Sequence, residues 1–143
     1  MTGHYWDYPM GSDSVPSHDL VNPDPGNNAN FAVSWPDDVT IGSPYWRTVV
    51  GEFENSESPY GTFDQGGNIC EQNETVIGSG RGLRGGAYCG GPGWGRAASR
   101  NWFDLTSEAG DIGFRVSEVP EPASALLLGI GGAVVAMKRR RAR

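Results

Sequence analysis

The sequence predicts an α+β chain with little regular secondary structure: one small, loop-rich domain over residues 1–118, then a short apolar helix inside a tail of residues 119–143. Three observations predict it. Glycine and proline are abundant, at 22 and 10 of 143 residues. No window before residue 119 keeps apolar residues at helical spacing over three turns. The run 123–137 then carries no charge, and it is stopped by Lys138, Arg139, Arg140, Arg141 and Arg143.

The elements follow in order. Residues 4–31 hold Pro9, Pro16, Pro23 and Pro25 and an asparagine cluster at Asn27, Asn28 and Asn30. Proline turns its predecessor away from helix, so this stretch should be irregular. A strand is expected over residues 47–53, between Pro44 and a polar turn. Further short strands are expected at 68–73, 82–88 and 112–116. There is no internal repeat.

The tail reads as a membrane signal. Positive charge resists translocation and stays on the cytoplasmic side. The 15 residues of 123–137 fall short of the roughly 20 that span a bilayer, and counting from Val119 gives 19. Gly129, Gly131 and Gly132 weaken a soluble helix, whereas membrane helices use glycine for close packing. A buried core helix with a solvated basic end is the alternative. Charge favours the membrane: five of the 11 basic residues crowd the last six positions, and the preceding part carries six basic against 17 acidic residues. A short transmembrane helix at 123–137, with residues 138–143 in the cytoplasm, is therefore expected.

The acidic balance argues against nucleic acid, whose phosphates demand a basic face. Cys70 and Cys89 lie outside the membrane in this topology and could form a disulfide. Gly80-Arg81-Gly82-Leu83-Arg84-Gly85 fits a dinucleotide-binding glycine pattern, but no helix can start in the glycine-rich stretch that follows. Asn22-Pro23-Asp24 lacks the distal glutamate of a calcium loop. His4 and His18 sit in the irregular stretch with no nucleophile beside them. No catalytic residue and no organic cofactor site is expected.

Two resemblances rest on quoted residues. Val119, Pro120, Glu121 and Pro122, the apolar run and the arginine-rich end with Lys138, Arg139, Arg140 and Arg141 closely resemble the bacterial PEP-CTERM sorting signal. That resemblance implies export, recognition by an exosortase-type processing enzyme, and delivery to the cell surface or extracellular matrix. Upstream, Tyr60-Gly61-Thr62-Phe63-Asp64-Gln65-Gly66-Gly67-Asn68-Ile69-Cys70-Glu71 is followed by Arg81-Gly82-Leu83-Arg84-Gly85-Gly86-Ala87-Tyr88. Arg96-Ala97-Ala98-Ser99-Arg100 and Gly113-Phe114-Arg115 come next. This ordered set resembles the carboxy-terminal half of the formylglycine-generating enzyme (sulfatase-modifying factor) family, and related folds resemble C-type lectins. The amino-terminal half of such a domain and a signal peptide are expected upstream of Met1, in a longer gene.

The family resemblance implies a structural calcium ion held by the carbonyls of Gly66, Gly67 and Ile69 and by the carboxylate of Glu71. Oxygen-only coordination suits calcium. A second calcium site would begin at Asn30 and Phe31, with Asp38 a further candidate. The alternative is that Glu71 pairs with Arg84 or Arg115 and binds no metal. The family's two copper-binding cysteines fall on Pro92 and Ala97, which offer no soft ligand. The expected role is a non-catalytic binding module for an extracellular ligand. The alternative is a metal-dependent oxidoreductase completed by a missing amino-terminal half.

Overall fold

The computed structural model describes residues 4–116, and the tail expectations lie outside them. Among the described residues there are six strands: β1 (Ala32–Ser34), β2 (Asp38–Val39), β3 (Cys70–Ile77), β4 (Gly80–Arg84), β5 (Asn101–Asp104) and β6 (Ile112–Phe114). One 3-10 turn, Pro92–Gly95, is the only helical piece among the described residues. Strands β1 and β2 form a small antiparallel pair. The main sheet has the order β5-β4-β3-β6, with β6 parallel to β3 and the other pairs antiparallel.

The β3–β4 hairpin follows from local chemistry. Ile77 pairs with Gly80, leaving Gly78 and Ser79 as a two-residue loop. Gly78 supplies the positive φ, 61°, that such a tight turn needs. β4 is shorter than the expected 82–88 strand, because Gly85 and Gly86 turn to φ of 85° and 78°. The expected strand at 112–116 ends at Phe114. Strands β1, β2 and β5 are additions to the expected set.

The expected strand over 47–53 does not form. The side chain of Asn68 captures the backbone of Thr48, accepting from its N–H at 3.1 Å and donating to its carbonyl at 3.3 Å. Asp64 Oδ2 accepts from the Gly51 N–H at 2.8 Å. These side chains take backbone groups that a ladder would have used.

The apolar core is small. Cys70, Leu83 and Ala87 are buried together, with Cys89, Phe103 and Ile112 packed against them. Tyr8, Ala29, Phe31, Ala32 and Phe53 are buried elsewhere in the domain. Polar residues share the interior: Asp24, Asn28, Asn30, Ser56 and Ser58 are all buried. The loops are therefore held largely by directed hydrogen bonds, which a loop-rich chain needs to satisfy its buried backbone.

Candidate functional site

The turn of residues 66–71 is built on left-handed backbone. Gly67 has φ 73° and Asn68 has φ 64°. The turn is fastened on two sides: the Gly67 N–H donates to Gly85 O at 2.7 Å, and the Asn68 N–H to Asn30 O at 2.8 Å. The fold thus brings the two segments singled out from sequence, 66–71 and Asn30–Phe31, into direct contact through an Asn30–Gly67 bridge. Asn30 is 1% exposed. Its Nδ2 donates to Trp46 O and to Asn68 Oδ1, each at 3.0 Å, and its buried Oδ1 has no partner.

Glu71 meets Arg115, as one of the two readings of the sequence requires. Its Oε1 accepts from Arg115 Nε at 2.8 Å and also from Nη2. Arg115 reaches further, donating to Phe63 O at 3.1 Å and to Asp64 O at 2.7 Å. Arg84 sits across the strands from Glu71 in register, yet its guanidinium turns to the carbonyls of Ala97 and Ser99. A groove beside the ion pair is lined by Gly67, Ile69, Glu71 and Asp64. Gly66 is not part of it. That glycine lines an apolar hollow with Met10 and Ala29.

Calcium fits these oxygens in a limited way. Among the described residues, no three His, Cys, Asp or Glu side chains converge as a metal site, so a cation here would depend on backbone carbonyls. Asn30 Oδ1 has no hydrogen-bond partner among the described residues, and it and the Glu71 carboxylate are hard oxygen donors. Asp64 is a carboxylate that the sequence reading passed over, although the quoted motif contained it. Asp38 is turned elsewhere, 3.5 Å from His18.

Copper does not fit. Pro92 opens the 3-10 turn, and the Ala97 N–H donates to Asp7 O at 2.7 Å. Neither side chain can ligate a metal. The thiols lie in the core instead. Burial, then the charge of Asp111, pushes the Cys70 thiol up to about 11. Cys89 donates to Asp111 Oδ2 at 3.6 Å, and burial and that carboxylate raise its pKa too. Both cysteines are thus held as thiols at neutral pH, the unreactive form.

A cleft of about 500 Å3 opens beside Ala97. Its walls carry Tyr5, Trp6 and Tyr60, and Gln65, Arg84 and Arg96 supply polar groups. Tyr5 and Tyr60 are 94% and 92% exposed. Arg96 is partnered by Asp7 at 3.1 Å and lies over the Tyr8 ring, 5.8 Å from its centroid. Arg84 has no carboxylate partner among the described residues. Burial, then the charge of Arg100, draws its guanidinium below the ordinary arginine range. The sequence reading missed this cleft, because its residues come from four separate segments whose meeting no local spacing encodes.

A family model for the sulfatase-modifying factor enzyme 1-like domain matches residues 3–119. A second model, for the PEP-CTERM protein-sorting motif, matches residues 118–141. No curated protein and no solved structure matches the chain. With the first match covering most of its length, the chain belongs to the sulfatase-modifying factor enzyme 1-like (FGE-sulfatase) domain family, and it carries a PEP-CTERM motif, which implies recognition by an exosortase-type enzyme, export and surface sorting.

Proposed function

We propose that this protein is a non-catalytic binding module displayed at the cell surface or in the extracellular matrix. The observation that carries the reading is the side chains at positions 92 and 97. The cysteine oxidation associated with the family needs two thiolates converging on a soft metal, and proline and alanine provide neither. What the domain offers in their place is a cleft with exposed aromatic rings and guanidinium donors, the makings of a recognition surface. In the same reading the tail anchors the chain through a helix at 123–137, with the basic end in the cytoplasm, until processing releases it. The two thiols stand apart from these positions, Cys70 in the core and Cys89 packed against it.

The experiment is direct. The full chain, loaded with Cu(I) and given a Cys-x-Pro-x-Arg peptide, should form no formylglycine. An aldehyde seen by mass spectrometry, and lost on Cys89→Ser, would overturn the reading.

Calcium belongs to this proposal as a structural ion, held by the carbonyls of Gly67 and Ile69 and by Glu71, with Asn30 Oδ1 supporting the second site. A ligand that binds only the folded state raises the melting temperature by mass action. Calcium at a concentration about 100-fold above its dissociation constant should add roughly 2.7 kcal/mol, and Glu71→Ala should remove that gain. An unchanged transition at saturating calcium would leave the Glu71–Arg115 ion pair as the whole account of this turn.

A further inference from the structure

Arg84 and Arg100 form an uncompensated pair. Arg84 Nη1 donates to Ala97 O at 3.3 Å and to Ser99 O. Arg100 Nη1 donates to the same two carbonyls, at 2.7 and 3.0 Å. Two guanidinium groups are thereby drawn together, and neither meets a carboxylate among the described residues, in a chain with 17 acidic residues available. Like charges held this close repel. Arg84 Nε and Nη2 have no protein partner there, and Arg84 lines the aromatic cleft.

The remaining walls decide what kind of anion would enter. Tyr5 and Tyr60 present almost fully exposed rings, and Trp6 is 41% exposed. The lining contains no Leu, Ile, Val or Met, so an extended peptide would find no aliphatic pockets for its side chains. Flat aromatic faces beside guanidinium and amide donors suit a ring that has a C–H face and an equatorial polar rim. Gln65 and the backbone of Gly85 and Gly95 stand at the same cleft as the polar complement, and the one acidic side chain in its lining, Glu71, has its charge matched by Arg115.

We infer that the cleft binds an acidic saccharide of the uronic acid type, its carboxylate on Arg84 and its rings against Tyr5, Trp6 and Tyr60. Arginine matches a carboxylate with two parallel hydrogen bonds, and the bound charge offsets the Arg84–Arg100 repulsion. The inference rests on the reading of the domain as a non-catalytic binding module.

The test is isothermal titration of the full chain in detergent micelles with two probes. One is hexagalacturonate; the other is the same hexamer with every carboxyl reduced to an alcohol. The acidic hexamer should bind at least about tenfold more tightly than the reduced one, as expected for a charged hydrogen bond. Salt on the order of 0.5 M should erode that preference. Arg84→Gln should abolish the preference. Because Arg84 also holds the loop at residues 97–99, Tyr60→Ala serves as the second variant. Its ring is 92% exposed, so the fold should be unaffected while affinity for both hexamers falls. Equal binding of the two hexamers, equally good competition by an oligo-aspartate peptide, or no binding of either hexamer would overturn the inference. Formylglycine formation, scored separately, would instead sink the binding-module reading on which it stands.

Discussion

Gly67→Ala should destabilise the domain by roughly 4 kcal/mol or more, combining left-handed strain with overpacking. A Cβ at this position would lie 2.8 Å from the Asn30 carbonyl carbon, 2.9 Å from its nitrogen, and closer still to its oxygen. These are backbone atoms of a residue that is 1% exposed, so they cannot swing aside. The φ of 73° adds strain of its own. Gly61→Ala is the matching control: its φ is 72°, but nothing lies within 4 Å of the added carbon. It should cost about 1 kcal/mol, the strain alone. Urea unfolding of both variants separates close approach from backbone conformation. A Gly67→Ala loss no larger than that of Gly61→Ala would mean that Asn30 does not hold the turn. The expected loss also reaches the candidate site, since the same contact orients Ile69 and Glu71.

Asp24→Ala should cost on the order of 3 kcal/mol, because a buried charged acceptor is removed and its donors are left unpaired. Asp24 is 2% exposed. Its Oδ1 accepts from the Gly26 N–H at 2.9 Å, and its Oδ2 accepts from the Asn55 N–H at 3.1 Å and from Ser56 Oγ at 2.7 Å. Ser56 Oγ in turn accepts from the Asn28 N–H at 2.8 Å. One carboxylate thus clasps the 24–28 loop to the 54–56 loop. Asp37→Ala, in an exposed turn, should change stability by about 0.5 kcal/mol or less. If the Asp24 variant unfolded at the same urea concentration as the Asp37 variant, the clasp would not be holding these loops. The sequence reading met Asp24 only as a rejected calcium ligand. The fold shows why no cation is needed there: backbone and hydroxyl donors already surround the carboxylate.

Part of the fold was legible because its devices are short-range. The strands expected at 68–73 and 82–88 overlap β3 and β4, although the Gly78–Ser79 turn that joins them was not foreseen, and Gly67 adopts positive φ as glycine allows. The irregular amino-terminal stretch follows from its prolines. The strand expected at 47–53 was misread for the opposite reason. Val49, Val50 and Phe53 look like strand residues, but only Phe53 is buried, while Val49 and Val50 are 69% and 91% exposed. A side chain 20 positions away, Asn68, takes the Thr48 backbone, and nothing in the local pattern announces it.

The sequence by itself determined the family, through an ordered set of motifs no one of which suffices, and the sorting signal of the tail. It also determined that positions 92 and 97 hold no thiol. Tertiary structure alone decided the partners. Glu71 stands opposite Arg84 in the β3–β4 register, yet binds Arg115, because β6 runs parallel to β3 and places Gly113 beside Glu71. Arg84, released from that pairing, turns toward Ala97 and Ser99 and meets Arg100. The physical reason is range. Turn chemistry and charge blocks act over a few residues and can be read along the chain. Which guanidinium reaches which carboxylate depends on strand order across 44 residues, and strand order is set only when the whole sheet closes.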